Sequence, residues 1–161
     1  MTASFNINFI FYRRIMQTTN VLAKSQLDLS LSHNLANLQD KVLLVHPELK
    51  SEIDNLMLQY RKFIYLCGKS NLPMAVPSEK VDYIWHLHLQ QNWSYNPFCL
   101  EVADRIVIHR ENDQAESVED RSRSKQNLID TAFQVFGYFP FDLSLLDCST
   151  CKNGCVNCNG D

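Results

Sequence analysis

Hydrophobic residues recur at steps of three and four through the centre of the chain, which is the spacing of one face of an α-helix. The clearest stripe consists of Ile53, Leu56, Met57, Tyr60, Ile64 and Cys67. It predicts a helix over about residues 48–67. Pro47 suits the start of this helix, and Gly68 suits the residue just after its end.

Weaker patterns predict helices on both sides of this stripe. Residues 27–45 are mostly helical in pattern, with apolar positions at Leu35, Leu38, Val42 and Leu43. This segment is expected to stop at His46, because the residue before a proline is pushed out of the helical region. A helix over about 79–92 begins after Ser78, a favourable N-cap residue.

Three further segments follow in the second half of the chain. A short helix is predicted over 95–103, with Pro97 in its first turn. Residues 106–108 read as either an extended piece or a last helical turn. A final helix is predicted over about 118–136, with Gly137 after it.

Composition agrees with a helical domain. The chain has 161 residues, of which 45% are hydrophobic and 20% charged, with only four glycines and five prolines. These values favour one compact all-α domain of about five helices over a turn-rich β sandwich. We expect a loosely ordered N-terminal extension over 1–15, the helical domain over 16–147 and a flexible, Cys-rich tail over 148–161.

Charge and hydropathy exclude some classes of partner. The formal net charge of −3 gives no basic surface for nucleic acid. The apolar run at 7–12 is too short for a membrane span or a signal sequence. We therefore expect a cytoplasmic protein whose partner is a small molecule or another protein. The sequence does not set its oligomeric state.

The strongest chemical feature is the segment Asp82-Tyr83-Ile84-Trp85-His86-Leu87-His88. A helix turns by about 100° per residue, so His86 and His88 lie about 160° apart. His88 falls in the middle of the apolar face, and Asp82 and His86 form an i,i+4 pair on its flank. One regular helix therefore cannot direct both histidines at the same ion.

Two arrangements remain open. In the first, Asp82 and His86 face a ligand site, and His88 is a buried structural residue. In the second, His88 is the ligand, and the Asp82–His86 pair supports it. In either case His109 and Cys99 are the expected further ligands, since imidazole and thiolate suit a divalent zinc or iron ion.

The competing interpretation is a non-catalytic protein-interaction domain. In that case the His and Trp residues form a polar core network that fixes the packing of the helices. If instead an ion is bound with an open position, hydrolytic or oxidative chemistry on a small substrate becomes possible.

Residues 59–110 resemble the glycine-rich domain-containing protein-like family. The resemblance rests on the Asp-x-x-Trp-His-x-His motif at 82–88 and on the spacing of Tyr95, Cys99 and His109 after it. It singles out the same group of residues without implying a reaction. Asp104 stands where the family often has glycine, and aspartate tolerates the left-handed conformation better than most residues. The glycine-rich region itself is missing.

Four cysteines crowd the end of the chain: Cys148, Cys151, Cys155 and Cys158. They form two Cys-x-x-Cys pairs, a spacing that allows two thiolates to bind one ion. Only three residues separate the pairs, far fewer than in a zinc ribbon. The tail is therefore a possible second metal site, with a thiol redox tail as the alternative.

Overall fold

The structure is a computed structural model and describes residues 27, 28, 30–109 and 117–142. A helical stretch at residues 27, 28 and 30–32 is followed by five α-helices and one 3₁₀ helix. In chain order these are α1 (Ala36–Val45), the 3₁₀ helix (Pro47–Ser51), α2 (Ile53–Lys69), α3 (Glu79–Leu89), α4 (Asn92–Ala103) and α5 (Val118–Phe136). The predicted all-α class is confirmed. Within the described ranges, no helix combines the length and apolar character needed to cross a bilayer. The predicted extension over 1–15 and the tail over 148–161 lie outside these ranges.

Helix α2 is the centre of the fold. It contacts α1, α3, α4 and α5, and the predicted apolar stripe faces the core. Phe63, Tyr65 and Leu66 are also almost fully buried, although they lie outside that stripe. Since neighbours cover α2 on several sides, more of its surface is buried than one amphipathic face would require.

Helix ends follow local sequence signals at several points. The Ser78 hydroxyl accepts a hydrogen bond from the backbone N–H of Val81 at 3.2 Å, as expected of the N-cap of α3. Ser117 caps α5 in the same way by accepting from Asp120. Helix α5 ends at Phe136, and Gly137 follows it with a φ of 76°, the left-handed conformation that glycine adopts without strain.

The prediction for the end of α2 was wrong. Gly68 lies inside the helix, which continues to Lys69 and is followed by Ser70. A Cβ atom at Gly68 would lie 2.6 Å from the Cα of Ala103, at the end of α4. Glycine is needed here because two helices approach closely. The start also differs, since residues 47–51 form a 3₁₀ helix and α2 begins at Ile53.

Gly68→Ala should lower the free energy of unfolding by about 1–3 kcal/mol, because the added methyl group meets backbone atoms that cannot rotate away. Urea unfolding monitored by circular dichroism measures this change. Asn55→Ala, at an exposed position of the same helix, is the matched control and should be neutral or slightly stabilising. Equal stability of the two variants would contradict the close contact.

Helix α4 also begins earlier than predicted. It starts at Asn92, so Pro97 lies inside the helix and not in its first turn. The carbonyl of Gln91 accepts hydrogen bonds from the N–H groups of Ser94 and Tyr95, which forms the first turn upstream of the proline. Pro97 has no N–H to donate, so the helix lacks one internal bond there.

Helix α4 ends at Ala103, and the next residue, Asp104, adopts the left-handed conformation with φ of 57°. Aspartate adopts this conformation at a lower cost than most other residues. The chain then runs through residues 106–109 without helical structure, and Val107 is buried. This short segment carries His109 to the side of α3.

Candidate metal centre

Three potential metal ligands meet where the segment at 106–109 passes α3. They are Asp82, His86 and His109, and one ligand atom from each lies within 4.8 Å of the other two. The His109 Nε2–H donates to Asp82 Oδ1 at 2.7 Å. The Nε2 atom of His86 lies 3.5 Å from the other oxygen, Asp82 Oδ2. One carboxylate therefore joins two imidazoles.

The helical repeat explains the pairing on α3. Asp82 and His86 are one turn apart, at the edge of the face whose residues Ile84, Trp85 and His88 are buried. The side chains of Asp82 and His86 are each 37% exposed. This edge position lets them reach a group on a neighbouring segment and also leaves them open to solvent.

His109 is held more tightly than its two partners. Its side chain is only 11% exposed, and its ring centroid lies 4.3 Å from that of Trp85 and 4.4 Å from that of His86. The Nδ1 atom is buried, and no described residue hydrogen-bonds it. The ring is thus packed between two aromatic neighbours, with Nε2 directed at the carboxylate.

The spacing of the three groups fits a small divalent ion. Zinc lies about 2.0–2.1 Å from nitrogen or oxygen ligands, so two ligand atoms at a tetrahedral angle are about 3.3 Å apart. The Asp82 oxygens lie 2.7 and 3.5 Å from the two Nε2 atoms. All three ligand atoms lie within 4.8 Å of one another, so small movements of the side chains would bring them to ligand distances from one ion.

His88 lies on another side of α3, inside the core. It is fully buried, its Nδ1 shares a hydrogen bond with the Tyr60 hydroxyl at 2.7 Å, and its Nε2 shares one with the Ser94 hydroxyl at 3.1 Å. Burial lowers the pKa of His88 to about 4, and the nearby side chains of His33 and Arg61 act in the same direction. The imidazole is therefore neutral at pH 7. The sequence pattern gives no sign of its partner Ser94.

Cys99 is likewise separate from the three clustered ligands. The thiol is buried, and burial raises its pKa, so the thiolate form needed for metal binding is disfavoured. It interacts with the Val107 backbone and the Tyr95 side chain. The terminal cysteines Cys148, Cys151, Cys155 and Cys158 lie outside the described residues.

A second buried hydrogen-bond chain lies behind the cluster. The Trp85 Nε1–H donates to the Tyr95 hydroxyl at 2.8 Å, and that hydroxyl donates to the backbone carbonyl of Val107. Tyr95 thereby links α3, α4 and the segment that carries His109. The motif residues therefore fall into a buried network and a cluster at the surface.

Comparison of the chain with family models, curated proteins and solved structures finds no match. Inference about function therefore rests on the cluster itself. The Asp82, His86 and His109 side chains form a possible metal-binding site in the described part of the chain.

Proposed function

We propose that the domain binds one divalent metal ion through Asp82, His86 and His109. The observation that carries this proposal is the meeting of two imidazoles and a carboxylate, drawn from α3 and a separate segment. In the absence of an ion, the carboxylate can hold both imidazoles by hydrogen bonds or ion pairing. An ion would bind each imidazole through a nitrogen that carries no proton, so the Nε2 proton that His109 donates to Asp82 would have to move to Nδ1 or leave the site.

The ligand set favours zinc or iron(II). Two imidazoles with one carboxylate suit borderline ions, whereas magnesium and calcium prefer oxygen ligands alone. Catalytic zinc sites and non-haem iron(II) sites both use three protein ligands of these types and keep at least one position for water or substrate. The partial exposure of Asp82 and His86 agrees with such an open position.

The competing interpretation, a protein-interaction domain with a structural polar network, explains a different set of residues. His88 and Trp85 are buried and make hydrogen bonds that fix the packing of helices. That role gives no reason for a second histidine, His86, beside the Asp82–His109 pair at the surface. The convergence of the three side chains favours the ion-binding function.

Membership of the glycine-rich domain-containing protein-like family is part of this proposal. The residues of the resemblance contact one another in two groups: Asp82, His86 and His109 in the surface cluster, and Tyr95 and Cys99 beside Val107. The pattern therefore covers the three proposed ligands and two residues beside Val107, which is two positions before His109.

Isothermal titration of zinc into the full chain tests the proposal. The tail thiolates are removed by Cys148→Ser, Cys151→Ser, Cys155→Ser and Cys158→Ser, so that any binding arises elsewhere. We expect about one equivalent of zinc. Changing a residue that only supports a ligand costs about 10–100-fold in affinity, so His86→Ala and His109→Ala should each cost about 100-fold or more.

His46→Ala is the matched control. His46 also contacts a carboxylate, Glu48, at 2.6 Å, but the pair is exposed and does not belong to the cluster of three ligands. This variant should bind zinc like the parent protein. Circular dichroism should show the same helical content in every variant. Stoichiometric zinc binding that survives both His86→Ala and His109→Ala would overturn the assignment.

A further inference from the structure

His109 reaches the proposed ion site from a segment that has no helical structure to hold it in place. Two of the three proposed ligands belong to a helix, but His109 lies at the end of the non-helical segment 106–109. A short segment without its own hydrogen-bond ladder has many conformations unless other groups restrain it. An ion site needs its ligands held in place before the ion arrives.

Tyr95 of α4 hydrogen-bonds this segment at Val107, and Cys99 of the same helix lies beside that residue. The Tyr95 hydroxyl donates to the Val107 carbonyl, and the Cys99 thiol interacts with the Val107 backbone and with Tyr95. Tyr95 and Cys99 are one helical turn apart, so they lie on the same side of α4. Val107 is only two residues from His109.

The same hydroxyl is tied to the other side of the site. It accepts a hydrogen bond from Trp85 Nε1 at 2.8 Å, and the Trp85 ring packs against the His109 ring. Burial raises the pKa of Tyr95, so the phenol stays protonated and keeps its donor for the Val107 carbonyl. Tyr95 therefore fixes both the segment that carries His109 and the indole against which His109 packs.

We infer that Tyr95, assisted by Cys99, is a positioning residue for the ion site: its hydroxyl holds the 106–109 segment so that His109 faces Asp82 and His86. This inference rests on the proposed ion-binding function. It gives a physical meaning to the spacing of Tyr95, Cys99 and His109. The tyrosine and cysteine hold the segment, and the histidine is the ligand that the segment presents.

Tyr95→Phe tests the inference, and Tyr60→Phe is its matched control. Both variants remove one hydroxyl from a buried tyrosine that hydrogen-bonds within the core. Tyr60 bonds His88, and its hydroxyl has no described contact with the 106–109 segment. In the full chain with the four tail cysteines changed to serine, Tyr95→Phe should weaken zinc affinity about tenfold or more. Tyr60→Phe should change it less than about twofold, although both variants lose stability.

A measurement without metal separates this inference from the ion site itself. We expect the Trp85 ring to shift the NMR resonances of the His109 ring protons, because the two rings are in contact. Tyr95→Phe should move these resonances towards values for an unpacked histidine, and Tyr60→Phe should leave them in place. Cys99→Ala should move the same His109 resonances in the same direction by a smaller amount. This variant provides the test if Tyr95→Phe does not fold.

Zinc binding and the His109 resonances test the ion-binding function and the positioning role separately. If the parent protein does not bind zinc but the His109 resonances move only in Tyr95→Phe and Cys99→Ala, the ion-binding function fails and the positioning role stands. If zinc binds, but Tyr95→Phe and Tyr60→Phe alter affinity and resonances equally, the positioning role is overturned. Resonances unchanged in a folded Tyr95→Phe variant also overturn it.

Discussion

His88→Ala should destabilise the domain by about 3–5 kcal/mol, although His88 is not a ligand of the proposed ion site. The side chain is fully buried, so its removal leaves a cavity in a close-packed region. It also leaves the hydroxyls of Tyr60 and Ser94 without their hydrogen-bond partner. An unsatisfied buried polar group costs about 1–3 kcal/mol, in addition to the cavity.

Urea unfolding in the presence of a chelator measures this loss. His86→Ala is the control, because it removes a histidine from the same helix where the side chain is 37% exposed. Without an ion, that control should change the free energy of unfolding by less than about 1 kcal/mol. A loss of less than about 1 kcal/mol in His88→Ala would show that the buried network does not hold the core together.

The stability of the domain should fall as the pH drops from about 6.5 towards 4, and His88 should account for up to about 3 kcal/mol of the loss. Burial lowers the pKa of His88 in the folded state to about 4, from an ordinary value of 6.5. Between these values the unfolded chain binds a proton at this site and the folded protein does not. Acid therefore favours unfolding, and the stabilising contribution is fully present only above pH 6.5.

Unfolding measured from pH 4 to pH 7.5 in both parent and His88→Gln isolates this effect. Glutamine keeps a neutral polar side chain but cannot take up a proton in this range. The variant is expected to be less stable at neutral pH, and its stability should depend less on pH between 6.5 and 4. Parallel pH profiles for the two proteins would refute the assignment to His88.

The helices could be predicted from the sequence where the signal is local. The Ser78 cap, the apolar stripe of α2 and the glycine after α5 are each determined by residues within a few positions of one another. Gly68 shows the limit of this approach. A glycine near the end of a stripe is typical of a helix terminus, and only the approach of Ala103 from a distant helix reveals its packing role.

At the candidate site, too, the sequence predicts what depends on neighbouring residues and not what depends on contacts between distant parts of the chain. Helical geometry alone separates His86 from His88, and the structure places them at the surface cluster and in the core. Helical geometry could not show whether His86 or His88 contacts His109. That contact depends on where α4 ends and on how the next segment returns to α3. For Cys99 the sequence gives the residue type but does not show that the thiol is buried. In the structure Cys99 does not belong to the cluster of three ligands.

Crystals of the full chain with the four tail cysteines changed to serine, soaked in zinc, test the central claim most directly. The measurement is an anomalous difference map at the zinc absorption edge. We expect one peak about 2.0–2.2 Å from the Nε2 atoms of His86 and His109 and from an Asp82 oxygen. Density at this point should disappear in crystals of His109→Ala. A well-ordered Asp82–His109 hydrogen bond without any peak at millimolar zinc would contradict the account and leave these residues a structural role.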